Sequence, residues 1–228
     1  MSSTRIPPHG PRRWLWLNAL SLTMFAAFVV FLVLQAIFGW RSNNQDLTEH
    51  GRAAQSLLAY LSSGEFVEAT FENWESEFLQ MGSYVLLTAF LLQKGSPESK
   101  PLDDDADDPA DPGQIRPDSP YPVRRGGPVL AVYENSLSLV LLGLFLISFV
   151  LHLLGGTATY NEEQALHGQP PVSVLQFLAE PQFWFQSMQN WQSEFLSVGV
   201  LLVASIWFRQ RGSSQSKKVA EPHHATGS

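Results

Sequence analysis

One heptapeptide occurs twice in this chain. Asn73-Trp74-Glu75-Ser76-Glu77-Phe78-Leu79 returns as Asn190-Trp191-Gln192-Ser193-Glu194-Phe195-Leu196, an offset of 117 residues (190 minus 73). Each copy runs into an apolar segment with a glycine three residues on, Gly82 and Gly199, and each segment ends alike, in Gln93-Lys94-Gly95-Ser96 and Gln210-Arg211-Gly212-Ser213. The same offset pairs Asn18 with Asn135, Gly39 with Gly156, Asn44 with Asn161, His50-Gly51 with His167-Gly168 and Ser56 with Ser173. A repeat of this kind constrains the fold before any local pattern does. Loop lengths usually drift when nothing holds them. A gapless offset through loops therefore predicts that the segments between the hydrophobic stretches are ordered.

The repeated unit reads as a membrane unit. After Arg13 no charge appears until Arg41. Leu15–Phe38 thus exceeds the ~20 apolar residues that span a bilayer. A cleaved signal peptide would have a shorter apolar region and a small-residue cleavage site, and Phe38-Gly39-Trp40-Arg41 is not one. In the second helix of the unit, the apolar part Phe78–Leu92 is about 15 residues, or roughly 22 Å at 1.5 Å per residue. That falls short of the ~30 Å hydrocarbon core, so the Asn-Trp-x-Ser-Glu motif is drawn into the interface. Pro181 suits the first turn of the corresponding helix in the second copy. The expected fold is an all-α integral membrane protein with four transmembrane helices in two parallel two-helix repeats, with amphipathic outer segments. The expected organisation is an N-terminal tail (1–13), unit 1 (14–94, helices about 15–38 and 65–92), a linker (95–128), unit 2 (129–211, helices about 132–154 and 181–208) and a disordered tail (212–228).

The linker holds eight of the fifteen prolines and the acidic run Asp103–Asp111. That composition reads as disordered, and it supplies much of the net charge of −7. No basic patch points to nucleic acid. There is no cysteine, which excludes disulfides, iron–sulfur clusters and thiol catalysis. Cytoplasmic flanks collect Lys and Arg. Twelve of the fourteen lie before helix one, between helices two and three, or after helix four; only Arg41 and Arg52 fall on the other side. Both termini and the linker are therefore expected in the cytoplasm of a multi-pass plasma-membrane protein. An even number of spans per unit gives both units the same polarity, as in parallel transporter repeats.

On a helix, Asn73, Ser76 and Glu77 fall on one stripe, as do Asn190, Ser193 and Glu194 in the second copy. Glu65, Glu68, Glu72 and Glu75 become Gln182, Phe185, Gln189 and Gln192, so Glu77 is the acid of this helix that survives duplication, as Glu194. An ionisable group at membrane depth is a functional candidate by default. At the interface a glutamate can reach water, and structural anchoring competes with a transport, ion or proton role, and with catalysis. His50 and His167 complete the candidate polar cluster, either as partners of those acids or as solvated turn residues. His152 stands where the first copy has Gln35, and both read as polar contacts between helices. Phosphate loops, HExxH zinc motifs and nucleophile elbows are absent from the sequence, so no enzyme activity, metal or cofactor is expected.

These motifs, with Tyr160-Asn161-Glu162-Glu163-Gln164 and Val123-Arg124-Arg125-Gly126-Gly127, resemble an uncharacterised family of bacterial four-span membrane proteins, a domain of unknown function. The resemblance covers roughly residues 13–219. It implies a bacterial cytoplasmic-membrane protein and no assigned activity. Three functions remain open. The first is a non-enzymatic membrane scaffold or interaction protein binding the lipid bilayer, a membrane-protein partner or a second copy of itself. The second is a small transporter or channel component with Glu77 and Glu194 in an outer vestibule. The third is a membrane enzyme acting on lipid.

Overall fold

The computed structural model describes residues 10–99 and 115–227. The acidic run that the sequence reads as disordered linker lies outside the described residues, as do the first nine residues. Every regular element among the described residues is a helix. The chain divides into two compact units, Met1–Phe66 and Val67–Ser228.

The first unit opens with α1, Pro11–Leu17, whose proline sits in the first turn where its missing N–H costs nothing. Asn18 interrupts the helix, its side-chain amide donating to the Trp14 carbonyl at 2.7 Å. Then α2 runs from Ala19 to Glu49. Its apolar side chains face outward, with Phe25, Phe31 and Leu20 all largely exposed. The sequence ends this helix near Phe38, but the structure continues it for eleven more residues, and the reason is simple. Polar residues end a membrane crossing, not a helix, and Arg41–Glu49 contains neither Gly nor Pro. The helix stops at His50, whose Nδ1 lies 2.9 Å from the Asp46 carbonyl oxygen. Gly51 then takes φ +72°, a left-handed conformation that favours glycine.

The returning chain is clamped. Asn44 donates to the Gln55 carbonyl at 3.0 Å and accepts from the Gln55 N–H at 2.8 Å. Trp40 Nε1 donates to the same carbonyl at 2.7 Å. Ser56 caps α3, Leu57–Leu61, by accepting from the Ala59 N–H. This short helix lays buried Tyr60 on Gly39, where any Cβ would collide with the Tyr60 hydroxyl. The next helix, α4, spans Gly64–Phe90. Most of it belongs to the second unit.

That unit also contains α5 (Tyr121–Arg125), α6 (Gly127–Glu134), α7 (Ser136–Leu166), α8 (Val174–Phe177) and α9 (Pro181–Trp207). The local chemistry of the first unit returns 117 residues on. Asn135 breaks α6 from α7 and donates to the Ala131 carbonyl at 2.9 Å. His167 ends α7 with Nδ1 2.9 Å from the Glu163 carbonyl oxygen, and Gly168 takes φ +68°. Asn161 exchanges the same two bonds with Val172, at 3.0 and 2.7 Å. Ser173 and Gln176 form a capping box at α8. Phe177 lies on Gly156, where a Cβ would stand 2.8 Å from its ring. The bounds of α7 and α9 are those of α2 and α4 moved by 117 (136 minus 19, 181 minus 64). The apolar core here is Leu153, Phe177 and Phe183, packed against Phe149, Tyr160, Val172, Val174 and Leu178.

Two helices, Ala19–Glu49 and Ser136–Leu166, are long and apolar enough to cross a membrane by length and composition. Helices α4 and α9 are four residues shorter and interrupt their apolar stretch with the polar motif.

The end of the chain departs from the sequence reading. A solvated, disordered tail is expected from Gly212 onward, yet residues 212–227 form a series of turns. Arg209 donates to the Glu221 carbonyl at 3.1 Å, and Lys217 Nζ donates to the His223 carbonyl at 2.9 Å. Thr226 accepts from the Gly95 N–H at 2.9 Å. Lys217 is buried here, and that burial, then the Arg209 charge, pulls its ammonium below the ordinary lysine range. Backbone carbonyls hold this segment, and polar composition does not report such partners.

Candidate functional site

The interior of the second unit is polar along one line. Helix α4 carries Glu68, Glu72 and Glu75 at i, i+4 and i+7, which shares one helical face. Glu75 is fully buried. Its Oε2 lies 2.8 Å from His152 Nδ1 on α7, and its Oε1 accepts from Trp191 Nε1 on α9 at 2.9 Å. His152 is also fully buried, its ring 4.8 Å from that of Phe183. One turn away, Asn190 donates to the Glu72 carboxylate. Two turns away, Gln186 donates to Glu68 at 2.8 Å.

These bonds fix how α4 and α9 run. The pairs 68/186, 72/190 and 75/191 have nearly constant sequence separation (118, 118 and 116), so partners advance together along both helices. Antiparallel helices would hold the sum of the numbers constant instead. The two helices are parallel and, to within one residue, in the register of the 117-residue offset.

The protonation chemistry of the buried pair follows from its partners. Glu75 Oε1 accepts from Trp191, and its Oε2 shares one proton with His152 Nδ1. This leaves Nε2, which is buried and meets no hydrogen-bond partner among the described residues. Ser187 Oγ is buried and unpartnered in the same way. Phe183, Ser187 and Trp191 recur every four residues, hence on one stripe of α9. Because Phe183 touches His152 and Trp191 touches Glu75, Ser187 lies on the face between those contacts. The site can hold a charge, but no cluster of three or more His, Cys, Asp or Glu suited to a metal ion occurs among the described residues.

The residues singled out from sequence are distributed differently. Glu77 is exposed and Glu194 half-buried, and the two remain close enough for Glu77 to act electrostatically on Glu194. Ser76 is buried, with its hydroxyl on the Asn73 carbonyl at 2.8 Å; Ser193 makes the same bond to Asn190 but is exposed. Asn73 is exposed and donates to the Ala69 carbonyl. Asn190 alone of this group reaches the buried acids, through Glu72. His50 and His167 are exposed, and each caps the helix it ends. Both stand at the turns that end their helices. Glu75 carries no repeat signal, because its counterpart is Gln192. Reading His152 as an interhelical polar contact is right in kind, and Glu75 is the partner that the sequence could not supply.

Below this line, α4 and α9 enclose a cavity of about 290 Å³. Its walls include Gln80, Tyr84 and Thr88 from α4, Phe195 and Gly199 from α9, and Glu98 beyond α4.

The fold and site thus define an all-helical protein with two helices able to cross a membrane and a buried Glu–His–Trp constellation between helices. The chain belongs to the family described as Domain of unknown function (DUF6766), which matches residues 11–228. No curated protein and no solved structure matches it.

Proposed function

We propose that this is a non-enzymatic, multi-pass protein of a bacterial plasma membrane, in which α2, α4, α7 and α9 all cross the bilayer. Both termini face the cytoplasm, and the two hairpins are copies of one unit. It acts as a scaffold whose two outer tips engage the lipid interface. One observation carries this reading. Each tip is held by an asparagine clamp and an aromatic ring on a glycine, and each presents a leucine at the equivalent position. Leu58 and Leu175 are both 78% exposed. An exposed leucine on a clamped one-turn helix has little to do for folding, and an apolar side chain at that level suits an interfacial anchor. Single cysteines replacing Leu58 or Leu175 in this cysteine-free chain, labelled with bimane in liposomes, are expected to be quenched by shallow spin-labelled lipids. Quenching by aqueous iodide alone would end the proposal.

A second reading is favoured by one feature, the charge of Glu77 acting on Glu194, which directly precedes Phe195 of the cavity wall. In it the protein is a small transporter or channel component. Solute or ion flux that falls in Glu77→Gln and Glu194→Gln variants supports it, and flux indifferent to both removes it.

A further inference from the structure

Helix α4 carries more polar side chains than a joint between helices requires. Glu68, Glu72, Ser76, Gln80, Tyr84 and Thr88 recur every fourth residue. Residues four apart form a continuous ridge that winds obliquely around the helix, and twenty residues rise ~30 Å, the thickness of a hydrocarbon core. The file is sheltered: Glu68, Ser76 and Gln80 are buried, and Glu72, Tyr84 and Thr88 are half-buried. In α9 the same positions hold Phe185, Gln189, Ser193, Ser197, Leu201 and Ser205, so the file is interrupted twice there.

Near its middle the file meets the His152–Glu75 pair. Glu72 acts electrostatically on His152, and His152 Nε2 and Ser187 Oγ are the buried, unpartnered atoms at that level. Neutral imidazole offers a lone pair at Nε2; imidazolium offers a proton there. The two states differ by one proton taken up and released at the same atom, while Nδ1–H stays on Glu75. Titratable groups facing His152 are Glu72 and Glu75 from α4, with Glu68 farther along the same face; α9 faces it with Phe183 and Ser187, neither charged. Past Gln80 the file opens into the 290 Å³ cavity, where Tyr84 senses the charge of Glu98. Every group along it is a carboxyl, hydroxyl, amide or imidazole, the set that passes protons between hydrogen-bonded neighbours.

We propose that the polar file of α4, with His152 as its central relay, is a proton pathway through the protein. It rests on α4 crossing the bilayer, as the four-span reading holds. The deprotonated His152 beside Glu75 accepts a proton at Nε2 from the Glu72 side, and Nε2 returns it toward Ser187 and Gln80. No redox step or cofactor enters.

The test uses the full chain in liposomes, with a potassium diffusion potential set by valinomycin and internal pyranine reporting pH. Proton uptake above protein-free liposomes is expected, unaltered when external sodium is replaced by choline. His152→Gln and Gln80→Leu are each expected to lower it tenfold or more, and Glu162→Gln, exposed near the end of α7, to leave it unchanged. Gln80→Leu keeps the test usable if His152→Gln misfolds. Background-level flux in the parent, or equal flux in parent and both variants, overturns the pathway. Cysteines at Ser63 and Lys94 separate the two claims. Labelling from opposite faces, without flux, rejects the pathway alone; labelling from one face rejects the four-span reading and the pathway with it.

Discussion

Helices α4 and α9 descend from one sequence pattern yet divide the chemistry between them. Helix α4 kept or gained Glu68, Glu72 and Glu75, and α9 has Phe185, Gln189 and Gln192 at those positions. In α9 those three positions are exposed and do not face α4. Instead α9 supplies the donors, Gln186, Asn190 and Trp191. Acids found in one copy meet the Asn-Trp pair that both copies keep. The acid that is identical in both copies, as Glu77 and Glu194, lies at the less buried edge. The buried acids and His152 sit where the copies differ.

The sharpest way to break this contrast is at the buried pair. Truncating His152 leaves a buried Glu75 oxygen without its partner and a cavity in place of the ring, together a cost of about 3–5 kcal/mol. His152→Ala is expected to lose that much in reversible unfolding in bicelles, whereas the same change at His167, exposed at a helix end, should cost under about 1 kcal/mol. Next is the glycine–aromatic contact repeated in both tips. Gly156→Val forces a side chain into the Phe177 ring, and overpacking costs about 1–3 kcal/mol. Gly168→Ala, at φ +68° with open space around it, tests backbone strain alone and should cost about 1 kcal/mol. Equal losses at the two sites would deny the close approach.

Smaller still is the difference between the tips under alkali. Burial, then the Glu65 charge, raises the Tyr60 hydroxyl above its ordinary range. The folded state then holds a proton that the unfolded chain gives up near pH 10. Its contribution is fully present below that pH and is lost as pH rises through the raised value. The second tip has Phe177 there and no such dependence. Hydrogen exchange of the first-tip amides should therefore accelerate above pH 10 and become pH-flat, after correction for intrinsic rates, in Tyr60→Phe. The smallest effect belongs to Glu77→Gln, expected within about 0.5 kcal/mol of the parent. A loss of several kcal/mol would move the centre of the site to the repeated acids.

Much of the tip architecture was legible before any coordinates. The constant offset paired Gly51 with Gly168, Ser56 with Ser173 and Asn44 with Asn161 and demanded that each pair do the same work, while the caps and clamps they form came from the structure. Helix ends were less legible, since α2 and α7 outrun their apolar stretches and hydropathy is silent about where a helix of Asn, Gln, Glu and Arg stops. Repetition also misled, by giving weight to residues that both copies keep. Glu75 has no acidic counterpart, and its partner His152 lies 77 residues away on another helix. Only the packing of α4 against α7 and α9 brings them together. The closing segment hid for a related reason, since Lys217 is held by carbonyl groups, which every residue has.

The parallel, in-register seam is the claim on which the rest stands, and the absence of cysteine makes it directly measurable. Cysteines replacing Glu72 and Asn190, whose side chains meet, should form an intramolecular disulfide under mild oxidation in membranes. A cysteine at 72 paired with one at Ser205, near the far end of α9, should not. Crosslinking of 72 with 205 and failure of 72 with 190 would mean antiparallel helices, and would contradict the account.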